Sequence, residues 1–227
     1  MQDFETELTD SVLSGNYRRA LQICREALAH PEIGPPRIHE CVLLPVIRRI
    51  GQSWTEDTAG FSQVSVAHIL LHRLLERLSR ARIIERQAPV RLLAHDAHVM
   101  VTVAPGDTHD FGARILSQNL QMSGWPVTFY NQRQSEKVVP ELGRKEYLAV
   151  AISVSCDEKL AGLADYVATC RMASNNPGLQ VLIGGAAIQP PFGQYGFLGA
   201  DRVGLAIDEV APYLSDHLHA IPDTRWN

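Results

Sequence analysis

The sequence predicts an all-α helical bundle followed by an α/β domain with a parallel sheet, and two patterns support this prediction. Up to about residue 86, apolar residues recur three and four positions apart, as in amphipathic helices. Beyond that point, short β-rich apolar runs alternate with helical stretches, which favours a parallel sheet covered by helices on both faces. A polar stretch ending in Pro89 separates the two patterns, so we place the domains at residues 1–86 and 87–227.

Two helices are predicted before the longest helix of the first domain. The first begins at Asp10 or Ser11 and runs through Leu28. The second ends at Gly51, because glycine is common just after the C-terminus of a helix. This ending leaves Trp54 on the connection or in the next turn.

A long third helix follows Phe61 and Ser62. Five of its residues recur at steps of four and three and share one stripe: Val64, His68, Leu71, Leu75 and Leu78. His68 is therefore predicted to point inward with the leucines, and His72 lies nearby on the same face.

The second domain shows apolar runs of strand type separated by helical stretches. The runs are Val99–Ala104, Val127–Tyr130, Leu148–Val154 and Val181–Ile183, and a last strand is marked by Gly199, Ala200 and Asp201. The helices fit at Phe111–Ser123, at Lys159–Ala173 and after Ile207. This alternation predicts a Rossmann-like (flavodoxin-like) parallel sheet, in which ligands sit at the carboxyl ends of the strands.

Composition and charge exclude several classes of protein. Apolar residues make up 45% of the chain and charged residues 20%, as in an ordinary folded soluble protein. The formal charge of −4 and the pI of about 6.1 argue against direct nucleic-acid binding, which requires a basic surface. The arginines between Arg73 and Arg86 are interrupted by Glu76 and Glu85, so we interpret them as a solvated helix face.

The cysteines and the N-terminus indicate where the protein resides. No CxxC or finger-like spacing relates the four cysteines, so neither a zinc site nor a disulfide framework is predicted. The first ten residues are acidic, and no stretch of about 18 apolar residues occurs. We therefore expect a cytoplasmic protein that is neither exported nor embedded in a membrane.

A polar loop after the first predicted strand contains Asp107, His109 and Gly112. It places a histidine at the carboxyl end of a strand, which is a ligand position. Imidazole is a good ligand for a transition metal, and Asp107 can accept the proton on the other ring nitrogen and so fix the tautomer. Gly112 lets a large flat ligand or a neighbouring strand approach the helix backbone. The competing interpretation of His109 is a polar residue at a helix start.

Small residues end two of the later strands. Ser153 and Ser155 close one strand, and Gly184 and Gly185 close the next. Small side chains and hydroxyls at these positions open a slot that a buried ligand tail has room to enter.

The order Asp-x-His-x-x-Gly, Ser-x-Ser, Gly-Gly and Gly-Ala-Asp resembles the cobalamin-binding domain shared by methionine synthase, corrinoid methyltransfer proteins and coenzyme-linked mutases. The resemblance spans about residues 90 to 220. It implies that His109 replaces the dimethylbenzimidazole base as the lower axial ligand of cobalt. The implied cofactor-binding loop also includes Thr108, Asp110 and Phe111.

The same resemblance implies where the displaced nucleotide tail of cobalamin goes. It enters the slot beside four residues: Ser153, Ser155, Gly184 and Gly185. The family usually has Ser-x-Leu where this chain has Ser-Val-Ser, so the contacts to the tail differ from the family pattern.

The segment ending in Trp54 resembles the helical cap that precedes these domains, where a tryptophan lies over the upper ligand of the corrin. Light-sensing repressors that use adenosylcobalamin carry a Glu-His pair about ten residues later, whereas this chain reads Gln63, Val64, Ser65, Val66. The stretches Trp54–Val66 and 152–176 resemble instead the photosynthesis antirepressors of the AerR/PpaA type.

This second resemblance implies a regulator without enzyme activity. It would bind hydroxo- or aquocobalamin, respond to light or redox state, and relieve a DNA-bound transcriptional repressor of pigment and photosystem genes by protein contact. His68 or His72 offers a second nitrogen to cobalt as an upper axial ligand, and a core position is the competing interpretation of His68. An adenosyl or methyl group as the upper ligand is a further alternative, and so is assembly of the protein into a homodimer.

Two other functions also stay open. One is a haem-binding sensor on the same fold, which the intact set of Asp107, His109 and Gly112 disfavours. The other is a corrinoid protein that carries methyl groups for a methyltransferase, which needs an accessible upper face and would be excluded by an upper histidine ligand.

Overall fold

The computed structural model describes residues 2–85 and 97–220. The chain divides into two compact units, residues 1–87 and 88–227, which are described separately. The predicted boundary between residues 86 and 87 and the stretch around Pro89 lie outside the described residues.

The first unit is helical throughout. Its helices are α1 (Gln2–Leu13), α2 (Tyr17–Ala29), α3 (Gly34–Ile38), α4 (Leu44–Thr55) and α5 (Phe61–Glu85), with a π-helical turn at His39–Leu43 between α3 and α4. Apolar residues from each long helix and from the π-helical turn are buried in this unit: Leu8, Ile23, Val42, Ile50, Leu71 and Leu74.

The single helix predicted from Asp10 or Ser11 through Leu28 is wrong, because the structure breaks it into α1 and α2. Gly15 has a φ of +76°, a left-handed conformation that favours glycine and ends α1. Asn16 then caps α2, since its side chain accepts a hydrogen bond of 3.0 Å from the Arg19 backbone N–H.

The predicted end of the second helix at Gly51 is also wrong. Gly51 lies inside α4, exposed and free of close neighbours, so the helix tolerates it at the usual modest cost in propensity. The helix therefore continues to Thr55, and Trp54 lies in its last turn.

The predicted long helix is α5, which begins at Phe61, two residues before the predicted start after Ser62. Among its described side chains, the buried ones are Ala67, Leu70, Leu71, Leu74, Leu75 and Leu78. His68 lies beside this buried face and is half-buried, whereas the three leucines predicted to share its stripe are buried. His72 is half-buried as well.

The second unit alternates strands and helices. Its elements are β1 (Val99–Val103), α6 (Phe111–Met122), β2 (Val127–Tyr130), α7 (Val138–Leu142), β3 (Ala149–Ser153), α8 (Leu163–Ala173), β4 (Gln180–Gly184), β5 (Arg202–Val203) and α9 (Ile207–Ala220). Short 3-10 turns at Gln132–Lys137, Asp157–Lys159 and Phe192–Leu198 were not predicted, nor was α7, because segments of one or two turns leave no hydrophobic period to detect.

The five strands form one parallel sheet with the order β2-β1-β3-β4-β5. Alternate side chains of each strand face opposite layers: Val101 and Ala151 pack with α6 and α9, and Val150 and Ile152 pack with α7 and α8. The predicted fold class, a Rossmann-like (flavodoxin-like) sheet preceded by a helical bundle, is confirmed.

The register brings three strand ends level with one another. Val103 pairs with Ser153, and Ser153 pairs with Gly184. The chain passes from β1 to one side of the sheet and from β3 to the other, so the topological switch point lies between these two strands. In the parts of the chain that the structure describes, no helix is long and apolar enough to cross a membrane.

Candidate functional site

The loop after β1 turns sharply and carries Asp107 into the protein. The Asp107 backbone N–H donates to the carbonyl of Ala104 over 3.0 Å, and Gly106 has a φ of +73° that suits only glycine well. As a result, the Asp107 carboxylate is fully buried directly beneath the exposed His109.

Four hydrogen-bond donors surround the buried carboxylate. Its Oδ1 accepts from the His109 backbone N–H over 3.0 Å and from the Ser155 hydroxyl over 2.7 Å. Its Oδ2 accepts from the Ser155 backbone N–H over 2.7 Å, and Nδ1 of His109 lies 3.2 Å from Oδ1. The carboxylate thus ties the loop after β1 to the loop after β3 at the switch point.

These donors decide the charge of Asp107. Burial by itself would raise the pKa of its carboxyl group. The hydrogen bonds from His109 and Ser155 favour the ionised form and outweigh burial, so the pKa is lowered below its usual value. Asp107 is therefore a carboxylate at neutral pH and can accept a hydrogen bond from the N–H of an imidazole ring.

The imidazole of His109 is held by one nitrogen and open at the other. Nδ1 faces Oδ1 of Asp107 at 3.2 Å and Oγ of Ser155 at 3.0 Å. Both oxygens can accept a hydrogen bond, so we assign the ring proton to Nδ1, which leaves the lone pair on Nε2. The side chain is 63% exposed, and this is the arrangement of a histidine prepared to bind a metal through Nε2.

The remaining residues of the predicted loop have different surroundings. Thr108 is exposed, and Phe111 is buried at the start of α6. Asp110 is the N-cap residue of α6 but makes no capping bond with its side chain. Its carboxylate instead pairs with Arg114, at 2.9 Å from Nε and 2.8 Å from the terminal nitrogen.

The glycines near the slot divide into two kinds. A Cβ on Gly184 would meet no atom within 4 Å, and a Cβ on Gly112 would lie 3.8 Å from Oγ of Ser153. A Cβ on Gly185 would overlap the backbone of Val154, and its φ of +116° is itself unfavourable for other residues. Gly112, Ser153 and Gly184 therefore line an open cradle, and Gly185 is required by close backbone contact.

The structure separates the two serines that the sequence grouped. Ser153 is level with Gly184 and faces Gly112 of α6. The hydroxyl of Ser155 contacts Asp107 and His109. Sequence reasoning missed this contact of Ser155, because the contact depends on the register in which β1 and β3 pair.

The helical unit exposes several large apolar side chains: Trp54, Phe61, Val66 and Ile69. Trp54 is 50% exposed and meets Phe61 edge to face, with ring centroids 6.4 Å apart. His68 and His72 lie on α5 between the positions of Phe61 and Glu76 and are half-buried. We call the four exposed side chains the exposed apolar set.

The donor set at the sheet edge suits a metal that arrives inside a macrocycle. Within residues 2–85 and 97–220, no group of three or more His, Cys, Asp and Glu side chains could hold a bare metal ion. Cobalt in a corrin already has four equatorial nitrogens and takes an axial ligand from the protein. The open Nε2 of His109 and the cradle at Gly112 and Gly184 fit that requirement.

Comparison with known protein families decides the assignment. Residues 97–208 match the family model of a B12 binding domain, and residues 5–79 match a second family model that is also described as a B12 binding domain. The chain belongs to the cobalamin-binding domain family. The two matches cover the α/β unit and the helical unit of this B12-binding protein in turn.

Two known proteins show how far the similarity of this B12-binding protein extends. The monomethylamine corrinoid protein of Methanosarcina barkeri has the same fold, with a TM-score of 0.73 at 18% identity over 97% of this chain and 99% of that one. An uncharacterised 20.5 kDa protein in the bchF-crtJ intergenic region of Rhodobacter capsulatus is 28% identical over 157 residues, or 69% of this chain and 79% of the relative. The haem alternative receives no support from these matches.

Proposed function

We propose that this protein is a cobalamin-binding regulator that acts by contact with a DNA-binding transcriptional repressor. The observation that carries the cofactor part is the cluster of His109, Asp107 and Ser155 at the switch point of the sheet. The regulatory part is supported by the resemblance to photosynthesis antirepressors and by the similarity to the protein of the bchF-crtJ region. No enzyme activity is proposed.

His109 is proposed as the lower axial ligand. Its Nδ1 is occupied by Asp107 and Ser155, so Nε2 is the nitrogen left for cobalt. The fully buried Asp107 holds the ring in this tautomer, and the hydroxyl of Ser155 restrains its orientation. When bound, cobalamin supplies an axial cobalt bond that light or redox change can alter.

The nucleotide tail is proposed to enter the cradle lined by Gly112, Ser153 and Gly184. Ser153 and Gly184 lie on the face of the sheet that packs with α6 and α9, since they share the side-chain direction of Ala151 and Leu182. Gly112 belongs to α6 on the same side of the sheet. Within residues 2–85 and 97–220, no atom lies within 4 Å of the position of a Cβ on Gly184. A methyl group there would occupy space that the tail requires.

The test is a visible spectrum of the purified protein after incubation with hydroxocobalamin and removal of free ligand. We expect the wild type to retain corrinoid absorption bands and His109→Ala to retain far less, with an unchanged circular dichroism spectrum. Equal retention and an identical spectrum in His109→Ala would exclude the lower-ligand assignment. A parallel incubation with haemin tests the haem alternative, which predicts a Soret band.

Illumination separates the regulator from the methyl carrier. The regulator predicts that the spectrum of the retained cofactor differs between darkness and light, and that deleting the gene alters light-dependent transcription of repressor-controlled genes. The methyl carrier is consistent with the shared corrinoid-protein fold and predicts instead that the loaded protein passes a methyl group to an acceptor thiol with a methyltransferase present.

His68 and His72 remain candidates for the upper axial ligand. If either binds cobalt, its substitution by alanine changes the upper-ligand bands of the hydroxocobalamin spectrum and leaves retention through His109 intact. Spectra of His68→Ala and His72→Ala that match the wild type would leave water or hydroxide as the upper ligand.

A further inference from the structure

Asn131 follows β2 directly and lies at the same edge of the sheet as the candidate site. β2 is the neighbour of β1, and Tyr130 pairs with Thr102, so Asn131 comes level with the end of β1. The loop that carries Asp107 and His109 leaves from that end of β1. Neighbouring strands are about 4.8 Å apart, so a flat macrocycle above His109 extends over several strands.

The side chain of Asn131 does not make the capping bond expected at its position. Asn131 is the N-cap residue of the 3-10 turn at Gln132–Lys137, where an asparagine side chain normally accepts a bond from the turn. Here only its backbone carbonyl does so, from the N–H of Gln134 over 2.9 Å.

The side-chain oxygen of Asn131 is buried and has no donor within hydrogen-bond distance in the described part of the chain. Buried polar atoms nearly always have a partner, and each exception calls for an explanation. The residue as a whole is half-buried, so part of it is exposed at the edge where the ligand is proposed to bind.

We infer that Asn131 is a recognition residue for the carboxamide side chains on the rim of the corrin ring, an inference that rests on the proposed cobalamin binding. A carboxamide both donates and accepts, so it satisfies the Asn131 amide in either orientation. The protein without cofactor carries an unsatisfied group, and the bound ring supplies its partner. Asn131 thus favours a ring that bears neutral amides.

The experiment compares Asn131→Ala with the neighbouring control Gln132→Ala, whose side chain is exposed. Binding of hydroxocobalamin is titrated by absorption, and the melting temperature of the cofactor-free protein is measured. We expect Asn131→Ala to bind roughly fivefold more weakly and to melt at or above the wild-type temperature, because alanine removes an unsatisfied polar group. Gln132→Ala should match the wild type in both.

Aquocobinamide, which carries the ring amides and lacks the nucleotide, tests which part of the ligand is recognised. Asn131→Ala should weaken binding of cobinamide by the same factor as binding of cobalamin. A loss confined to cobalamin would overturn the inference, since it would place Asn131 against the tail.

The failure of this inference can be told from failure of the proposed function. If the wild type retains no cobalamin, the proposed function fails and this inference fails with it. If the wild type binds and Asn131→Ala binds equally well, only the role of Asn131 is excluded. A lower melting temperature of cofactor-free Asn131→Ala would also overturn it, because that result means that the amide has a structural partner.

Discussion

The edge of the sheet and the surface of the helical unit present candidate functional residues in opposite ways. At the sheet edge, His109 stands on a fully buried carboxylate that is bonded from two loops. In the helical unit, the exposed apolar set has no such support, and Phe61 is 76% exposed. The fold therefore depends on the side chains at the sheet edge, whereas it depends little on the exposed apolar set. Substitutions should therefore affect stability in the first region and leave it nearly unchanged in the second.

The largest expected effect is at Gly185. Alanine there would meet the backbone of Val154 in a conformation with a φ of +116°. Strain and overpacking together should reduce the free energy of unfolding by at least about 3 kcal/mol. Gly184→Ala is the matched control, with nothing near its Cβ, and should change stability by less than about 1 kcal/mol while weakening cobalamin retention. Urea unfolding of both variants tests this contrast.

Equal stability of the two glycine variants would contradict the assignment of Gly185 to backbone packing. Equal cobalamin retention by Gly184→Ala and the wild type would contradict the proposed path of the tail. The two glycines are adjacent in sequence, yet Gly185 reports on backbone packing and Gly184 reports on the path of the tail.

Asp107→Asn should have the next largest effect. An asparagine at this position has one acceptor oxygen for the donors of His109 and Ser155 and turns an NH2 group toward one of them. We expect the free energy of unfolding to fall by about 2 kcal/mol. Cobalamin retention should fall as well, because the tautomer of His109 is no longer fixed.

The pH dependence of stability tests the same carboxylate. The pKa of Asp107 is lower in the folded protein than its usual value, so its contribution to stability is complete above about pH 4. The contribution is lost as the pH falls through the lowered folded pKa. Acid unfolding of the cofactor-free wild type should therefore be steeper below about pH 4 than that of Asp107→Asn, and equal slopes would contradict the shift.

Ser155→Ala should have a smaller effect than Asp107→Asn. It removes the hydroxyl between Asp107 and His109 and keeps the backbone N–H that also binds the carboxylate. We expect a loss of about 1 kcal/mol in stability, with threonine restoring part of it. The electron spin resonance spectrum of bound cob(II)alamin reports the axial nitrogen directly. An unchanged spectrum in Ser155→Ala would show that Ser155 does not orient the ring.

The sequence predicted the α/β unit better than the helical one, and the reason lies in the patterns themselves. Four of the strands fall within one or two residues of their predicted positions, because runs such as Val99–Val103 are buried on both faces and apolar apart from Thr102. In the first unit, the spacing of apolar residues continues from α1 into α2 across Gly15, where the chain turns. A single glycine with a positive φ leaves little trace in hydrophobic periodicity.

The candidate site was predictable in part. Asp107 and His109 are two residues apart, so their contact is local and could be inferred from the loop alone. The contact of Ser155 with Asp107 joins residues 48 positions apart. It depends on the register of β1 and β3 and was therefore invisible in the sequence. The same holds for Asn131, whose orphan oxygen is a property of packing and not of sequence.

The smallest effect on stability is expected in the exposed apolar set. Phe61→Ser and Trp54→Ser remove the edge-to-face contact between two exposed rings and little else, so the unfolding free energy should change by less than about 1 kcal/mol. Leu74→Ala, in the buried face of α5, is the matched control and should cost about 2 to 5 kcal/mol. If the cap prediction holds, both exposed variants nevertheless retain less cobalamin than the wild type. Retention at the wild-type level would remove the exposed apolar set from the cofactor site, whereas a loss of stability comparable to that of Leu74→Ala would show that this surface is part of the fold after all.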